Sequence, residues 1–181
     1  SDLIREFADN IDYDEGGGTY LFSGNRGTGK TTELMRLAEM LQDEGCEVFY
    51  LDMAEYLNLT MSVEITDFLI SLLGGLSEKI EERYGASPGK RGFFERVYGF
   101  LQAEVKLDGI TLPLDHASLK FSIQQDPDFK KKLQEGTRGH AARLVKEARD
   151  FALEAATWVR NRTDENKKIV LLVDSIERLR G

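Results

Sequence analysis

The sequence predicts an α/β protein, a three-layer αβα arrangement around a mainly parallel sheet. Three observations carry the prediction. A short apolar run, Tyr20-Leu21-Phe22, leads into the glycine-rich stretch Gly24-Asn25-Arg26-Gly27-Thr28-Gly29-Lys30-Thr31-Thr32, and that stretch leads into a segment with apolar residues at helical spacing. A second strand-like run, Cys46 to Met53, follows, so the order is strand, helix, strand, the unit of a parallel sheet. Far downstream, Ile169-Val170-Leu171-Leu172-Val173 is apolar without alternation, as expected of a strand buried on both faces, and it ends in Asp174.

The elements follow in order. Residues 2–9 read as a short amphipathic helix with Leu3, Ile4 and Phe7 on one face, and 12–18 as an acidic connector ending in three glycines. A strand is expected at 19–23, then a helix from 30 to about 44 with Leu34, Leu37, Ala38 and Leu41 as its core stripe and Gly45 at its C-cap. The second strand spans 46–53. Helices are expected at 63–84, weakened in the middle by Gly74-Gly75, and at 93–105, with Ser87-Pro88-Gly89 as the turn between them.

Residues 105–124 alternate, in Val105-Lys106-Leu107 and in Leu119-Lys120-Phe121-Ser122-Ile123, and are punctuated by Asp108-Gly109 and Pro113. They read as a small β-hairpin outside the main sheet. Asp126-Pro127 opens a long helix to Arg162, with Gly136 and Gly139 as breaks near its start. After the polar turn Asp164-Glu165-Asn166, the third strand runs from 168 to 174. The chain thus divides into an N-terminal helix and linker (1–18), a strand–helix–strand unit (19–60), a mostly helical insert with a β-hairpin (61–165), and a final strand with the start of the next segment (166–181).

Composition narrows the class. The 181 residues are 41% hydrophobic, enough to bury a core, and the net charge of −8 argues against a general nucleic-acid or membrane-surface protein. Lys90-Arg91 and Lys130-Lys131-Lys132 are small basic spots that read as solvated helix surface. The single cysteine, Cys46, excludes an internal disulfide framework and reads as a small buried residue. His116 and His140 have no metal-ligand spacing. No stretch approaches the ~20 apolar residues of a membrane span, and a reduced, cytoplasmic setting is expected.

The stretch from Gly24 to Thr31 matches the phosphate-binding pattern G-x-x-x-x-G-K-[ST] at every fixed position, between a strand and a helix as that chemistry requires. Backbone N–H groups of such a loop and of the following helix N-terminus converge on phosphate oxygens. Gly24, Asn25, Arg26, Gly27, Thr28, Gly29, Lys30, Thr31 and Thr32 form the candidate nucleotide-binding set of a P-loop NTPase. Gly27 and Gly29 permit a close backbone approach. Lys30 would reach the β- and γ-phosphates. Arg26 touches phosphate, reaches a neighbouring subunit or is simply solvated, the last being the default.

A carboxylate at the end of a buried strand costs desolvation energy and needs a reason. In P-loop proteins the reason is Mg²⁺, held by the P-loop Ser or Thr and the Walker B Asp, here Thr31 and Asp174. Asp52 ends the second strand at the sheet edge where ligands bind in α/β folds, either near the nucleotide or capping a loop.

Leu21 to Leu37 (Leu-Phe-Ser-Gly-Asn-Arg-Gly-Thr-Gly-Lys-Thr-Thr-Glu-Leu-Met-Arg-Leu) resembles the P-loop region of bacterial AAA+-type and STAND-type ATPases, and Ile169 to Leu179 (Ile-Val-Leu-Leu-Val-Asp-Ser-Ile-Glu-Arg-Leu) resembles their Walker B segment. Many of these ATPases place a catalytic Glu directly after the Walker B Asp. This chain has Ser175 there. Asp174-Ser175-Ile176-Glu177 fits the D-x-hydrophobic-D/E variant, which makes Glu177 the catalytic candidate beside Lys30 and Asp174; its other reading is a surface residue paired with Arg178.

The resemblance implies ATP as the nucleotide and Mg²⁺-dependent hydrolysis within a larger ATPase. It also implies a homo-oligomer formed through parts outside this sequence, with an unidentified protein partner, and kinship with proteins of antiphage defence or signalling. In that family a sensor strand lies between the P-loop and Walker B strands. With Gly181 seven residues after Asp174, that strand, a lid and an arginine finger are expected beyond it, and the sequence reads as an N-terminal fragment with an incomplete sheet. The other order, with the two strands as neighbours, is that of kinases and GTPases, though no guanine-specifying N-K-x-D stands in a suitable place. A nucleotide-gated scaffold with little turnover and a small-molecule or nucleotide kinase are the competing functions.

Overall fold

A computed structural model of the chain describes residues 19–23, 30–105 and 110–175. The expected helix at 2–9, the connector before the first strand, the loop residues 24–29, residues 106–109 and Glu177 lie outside the described residues.

Strand β1 spans Thr19–Ser23 and helix α1 Lys30–Asp43, followed by strand β2 at Glu47–Asp52 and a 3₁₀ turn at Met53–Glu55. Helix α2 covers Ile65–Tyr84; α3 covers Phe93–Phe100 and runs into a π-helical turn at Leu101–Val105. Helices α4 (His116–Gln125), α5 (Pro127–Thr137) and α6 (Ala141–Arg162) lead to strand β3 at Ile169–Asp174. No helix among the described residues is long and apolar enough to cross a membrane.

The three strands form one parallel sheet in the order β1-β3-β2. The central position of β3 explains its unbroken apolar run, since every residue from Ile169 to Asp174 is buried. Successive residues alternate between two layers. Val48, Val170 and Leu172, with Cys46, lie with α1, against which Leu37, Ala38 and Leu41 are half-buried. Phe49, Leu51, Ile169, Leu171 and Val173 belong to the large core built with the other helices. Helix α1 ends where Gly45 takes a left-handed φ of 88°. Cys46 N–H bonds Leu41 O and Gly45 N–H bonds Gln42 O, both at 2.9 Å, the two bonds of a Schellman stop that turns the chain into β2.

Four expectations are corrected. Residues 116–125 form a helix, not a hairpin strand. Asp115 accepts the Ser118 N–H at 2.8 Å as an N-cap, and of the alternating apolar residues only Leu119 and Ile123, one helical turn apart, are buried, while Phe121 is exposed. Of the hairpin's other arm, Val105 ends the π turn, and Lys106 and Leu107 lie outside the described residues. Of the two breaks expected near the start of the helix at 127–162, Gly139 is one, with a φ of 85° between α5 and α6, but Gly136 is not and stays inside α5. Gly74-Gly75 does not interrupt α2 and lets it pack closely: a Cβ on Gly75 would stand 3.1 Å from Tyr56 and 3.3 Å from Leu51. Finally, Lys130 is not solvated surface. It is buried on α5 with its ammonium making no hydrogen bond, near the fully buried Asp67 of α2. Burial pushes the Asp67 carboxyl above its usual range, against the lowering effect of the Glu64 N–H, Gln134 and the Lys130 charge.

Candidate functional site

The carboxyl ends of β2 and β3 and the first turn of α1 meet at one edge of the sheet. In parallel α/β sheets this is the edge where ligands bind, because the crossover helices begin there with unpaired N–H groups. Lys30, Thr31 and Thr32 form the first turn of α1, whose dipole favours an anion at that end. The loop Gly24–Gly29 that would complete the cradle lies outside the described residues.

Thr31 and Asp174, 143 positions apart, are brought together. The Thr31 hydroxyl donates to Asp174 Oδ2 at 2.8 Å. Tyr50 Oη donates to the same oxygen, and Asp174 Oδ1 accepts the Ser175 N–H at 2.8 Å. Asp174 is buried, at 3% exposure, and this set of donors offsets the desolvation of its charge. Burial above all, then the hydrogen bond to Asp174 and the charges of Asp174 and Asp52, push the Tyr50 phenol well above its ordinary value. Tyr50 therefore acts as a donor that fixes the carboxylate.

Asp52 stands beside this pair. It is the register partner of Asp174 at the ends of adjacent strands. Its Oδ1 accepts the Ala54 N–H at 3.0 Å, which caps the 3₁₀ turn, and the Ser175 hydroxyl at 2.7 Å. The loop-capping reading of Asp52 therefore holds, and the residue also lies beside Asp174. Ser175 links the two acids from a left-handed backbone, φ 70°, that side chains other than Gly seldom adopt.

Among the described residues no group of three or more His, Cys, Asp or Glu side chains is arranged to hold a metal. A cation here would take few protein ligands and keep water and phosphate oxygens, as Mg²⁺ does. The pair fits that ion. Adjacent ligands of an octahedron with 2.0–2.1 Å bonds lie about 2.9 Å apart, against 2.8 Å between Thr31 Oγ1 and Asp174 Oδ2.

Tyr50 is the site residue the sequence reading missed. Its signal was its place in β2, two residues before Asp52 and on the same face as Val48, which puts a polar-tipped aromatic beneath the start of α1. In the described sheet β1 pairs directly with β3, Ser23 opposite Val173. Comparisons with known protein families, with curated proteins and with solved structures found no match to the chain.

Proposed function

We propose that this chain binds ATP with Mg²⁺ at the carboxyl edge of its sheet and hydrolyses it, as the nucleotide-binding part of a larger, oligomeric ATPase. The observation that carries the reading is the 2.8 Å hydrogen bond between Thr31 and Asp174, the last residue of the phosphate-loop pattern and the acid that ends the buried strand. Thr31 and Asp174 would hold the ion, and Lys30 with the loop N–H groups would hold the β- and γ-phosphates. The ion supplies neutralisation of the charge that builds on the γ-phosphoryl oxygens and on the leaving oxygen. Tyr50 and the Ser175 N–H keep the Asp174 carboxylate in place, so little reorganisation is needed when nucleotide arrives.

Calorimetric titration with Mg-ATP, paired with a phosphate-release assay, tests this. Wild type binds and turns over; Lys30→Ala abolishes binding. Tight ATP binding retained by Lys30→Ala contradicts the phosphate-loop assignment.

A second reading, phosphoryl transfer to a small-molecule or nucleotide acceptor, is compatible with the direct β1–β3 pairing, as is the ATPase reading with its incomplete sheet. Phosphate release without any acceptor supports the ATPase. ADP formed only when an acceptor is added supports the kinase.

A further inference from the structure

We propose that Asp52, not an acid on the Walker B segment, orients and deprotonates the attacking water, and that Ser175 is the residue that positions it. The proposal rests on the ATPase reading above. Position 175 directly follows Asp174 and holds a serine, which has no carboxylate with which to take a water proton. Its backbone is left-handed, and in that conformation both of its polar groups are committed: the N–H to Asp174 Oδ1 at 2.8 Å and the hydroxyl to Asp52 Oδ1 at 2.7 Å. The serine thus replaces a carboxylate by borrowing one from the neighbouring strand.

Three features suit Asp52 to the task. It is paired in register with Asp174, so the two carboxylates project from the same sheet edge. It is half-buried, which leaves it a route to solvent. Both hydrogen bonds that hold it fall on Oδ1, so among the described residues Oδ2 accepts none and can receive a water proton.

The step balances as follows. The water oxygen forms a bond to the γ-phosphorus, and one water proton passes to Asp52 Oδ2. The bond from the γ-phosphorus to the β–γ bridging oxygen breaks, leaving its electron pair on ADP. Asp52 then returns its proton to solvent.

The experiment measures Mg-ATP affinity by calorimetry and kcat by phosphate release, for the intact chain and for Asp52→Asn, Ser175→Ala and Glu177→Gln. Asp52→Asn is expected to lower kcat about 100-fold or more while the Mg-ATP dissociation constant stays within about threefold. Ser175→Ala is expected to lower kcat about tenfold with Mg-ATP affinity kept, a split between turnover and binding that a purely structural role would not produce. Wild-type kcat in Asp52→Asn, with loss of turnover in Glu177→Gln, overturns the proposal and leaves the ATPase reading standing. Absence of Mg-ATP binding or hydrolysis in wild type overturns the ATPase reading itself, so the two failures are distinguishable.

Discussion

Among the described residues, α1 alone covers one face of the sheet, over Val48, Val170 and Leu172, whereas the other face lies beneath α2, α6 and the shorter helices, over Phe49, Leu51, Ile169, Leu171 and Val173. The thin layer carries Thr31 and, facing it, Tyr50. The thick layer holds most of the buried side chains. Its glycines, cap boxes and aromatic contacts serve packing: Phe93 lies edge-on to Phe151, with ring centres 5.8 Å apart. Buried packing and the candidate site are therefore divided between the two faces. Helix α1 is anchored by one buried leucine, Leu34, with three half-buried neighbours.

The sharpest way to break this division is Phe151→Ala. Phe151 is fully buried beneath the helical layer, and its loss should cost about 3–5 kcal/mol in urea denaturation. Mg-ATP affinity of the fraction still folded should hardly change. A smaller effect, with the opposite distribution, is expected of Leu34→Ala: about 2 kcal/mol of stability, together with a clear loss of Mg-ATP affinity measured by calorimetry. Equal losses of affinity in the two variants would dissolve the distinction.

Within the thick layer, two acids respond to pH with opposite sign. Glu47, at the start of β2, is held below its usual range. Burial acts in the raising direction but is outweighed by hydrogen bonds from Tyr84 and Arg83 and by the charges of Arg83 and Lys167. Its contribution is full above the unfolded-state pKa of about 4.3 and is lost as pH falls through the lower folded value. Glu47→Gln should remove that acid-side loss, an effect under about 1 kcal/mol because its Arg83 partner is exposed. Asp67 has the opposite sign. Its raised folded pKa means a contribution present below the unfolded value, about 3.9, and lost as pH rises through the folded one. Asp67→Asn keeps an acceptor for the Glu64 N–H, which Asp67 Oδ2 now accepts at 3.0 Å, and should remove that slope. Urea midpoints from about pH 2 to pH 7 measure both.

The thin side was the more legible from sequence. Thr31 and Asp174 carry a pattern whose residue types are dictated by phosphate and cation chemistry, and β3 announced its burial by its lack of alternation. What could not be read there was strand order, because a local run of residues does not encode its lateral neighbours. The thick side misled for a different reason. Leu119, Phe121 and Ile123 alternate as a strand would, but the Asp115 cap selects a helix that leaves Phe121 exposed. Gly74-Gly75 looks like a weakness until Tyr56 and Phe93 fill the space beside it. Lys130 looks solvated until α5 is packed on α2. The glycine pair and Lys130 are cases of tertiary contact overriding local preference, whereas the helix at 116–125 follows from a local cap.

The central claim is that Thr31 and Asp174 together hold the cation of a bound nucleotide. The measurement that tests it most directly is the Mg²⁺ dependence of ATP affinity in wild type and in Asp174→Asn. The account predicts wild-type affinity at least tenfold weaker when EDTA replaces Mg²⁺, and an Asp174→Asn variant that remains folded but has lost most of that dependence. A wild type indifferent to EDTA, or an Asp174→Asn variant as Mg²⁺-dependent as wild type, would contradict it.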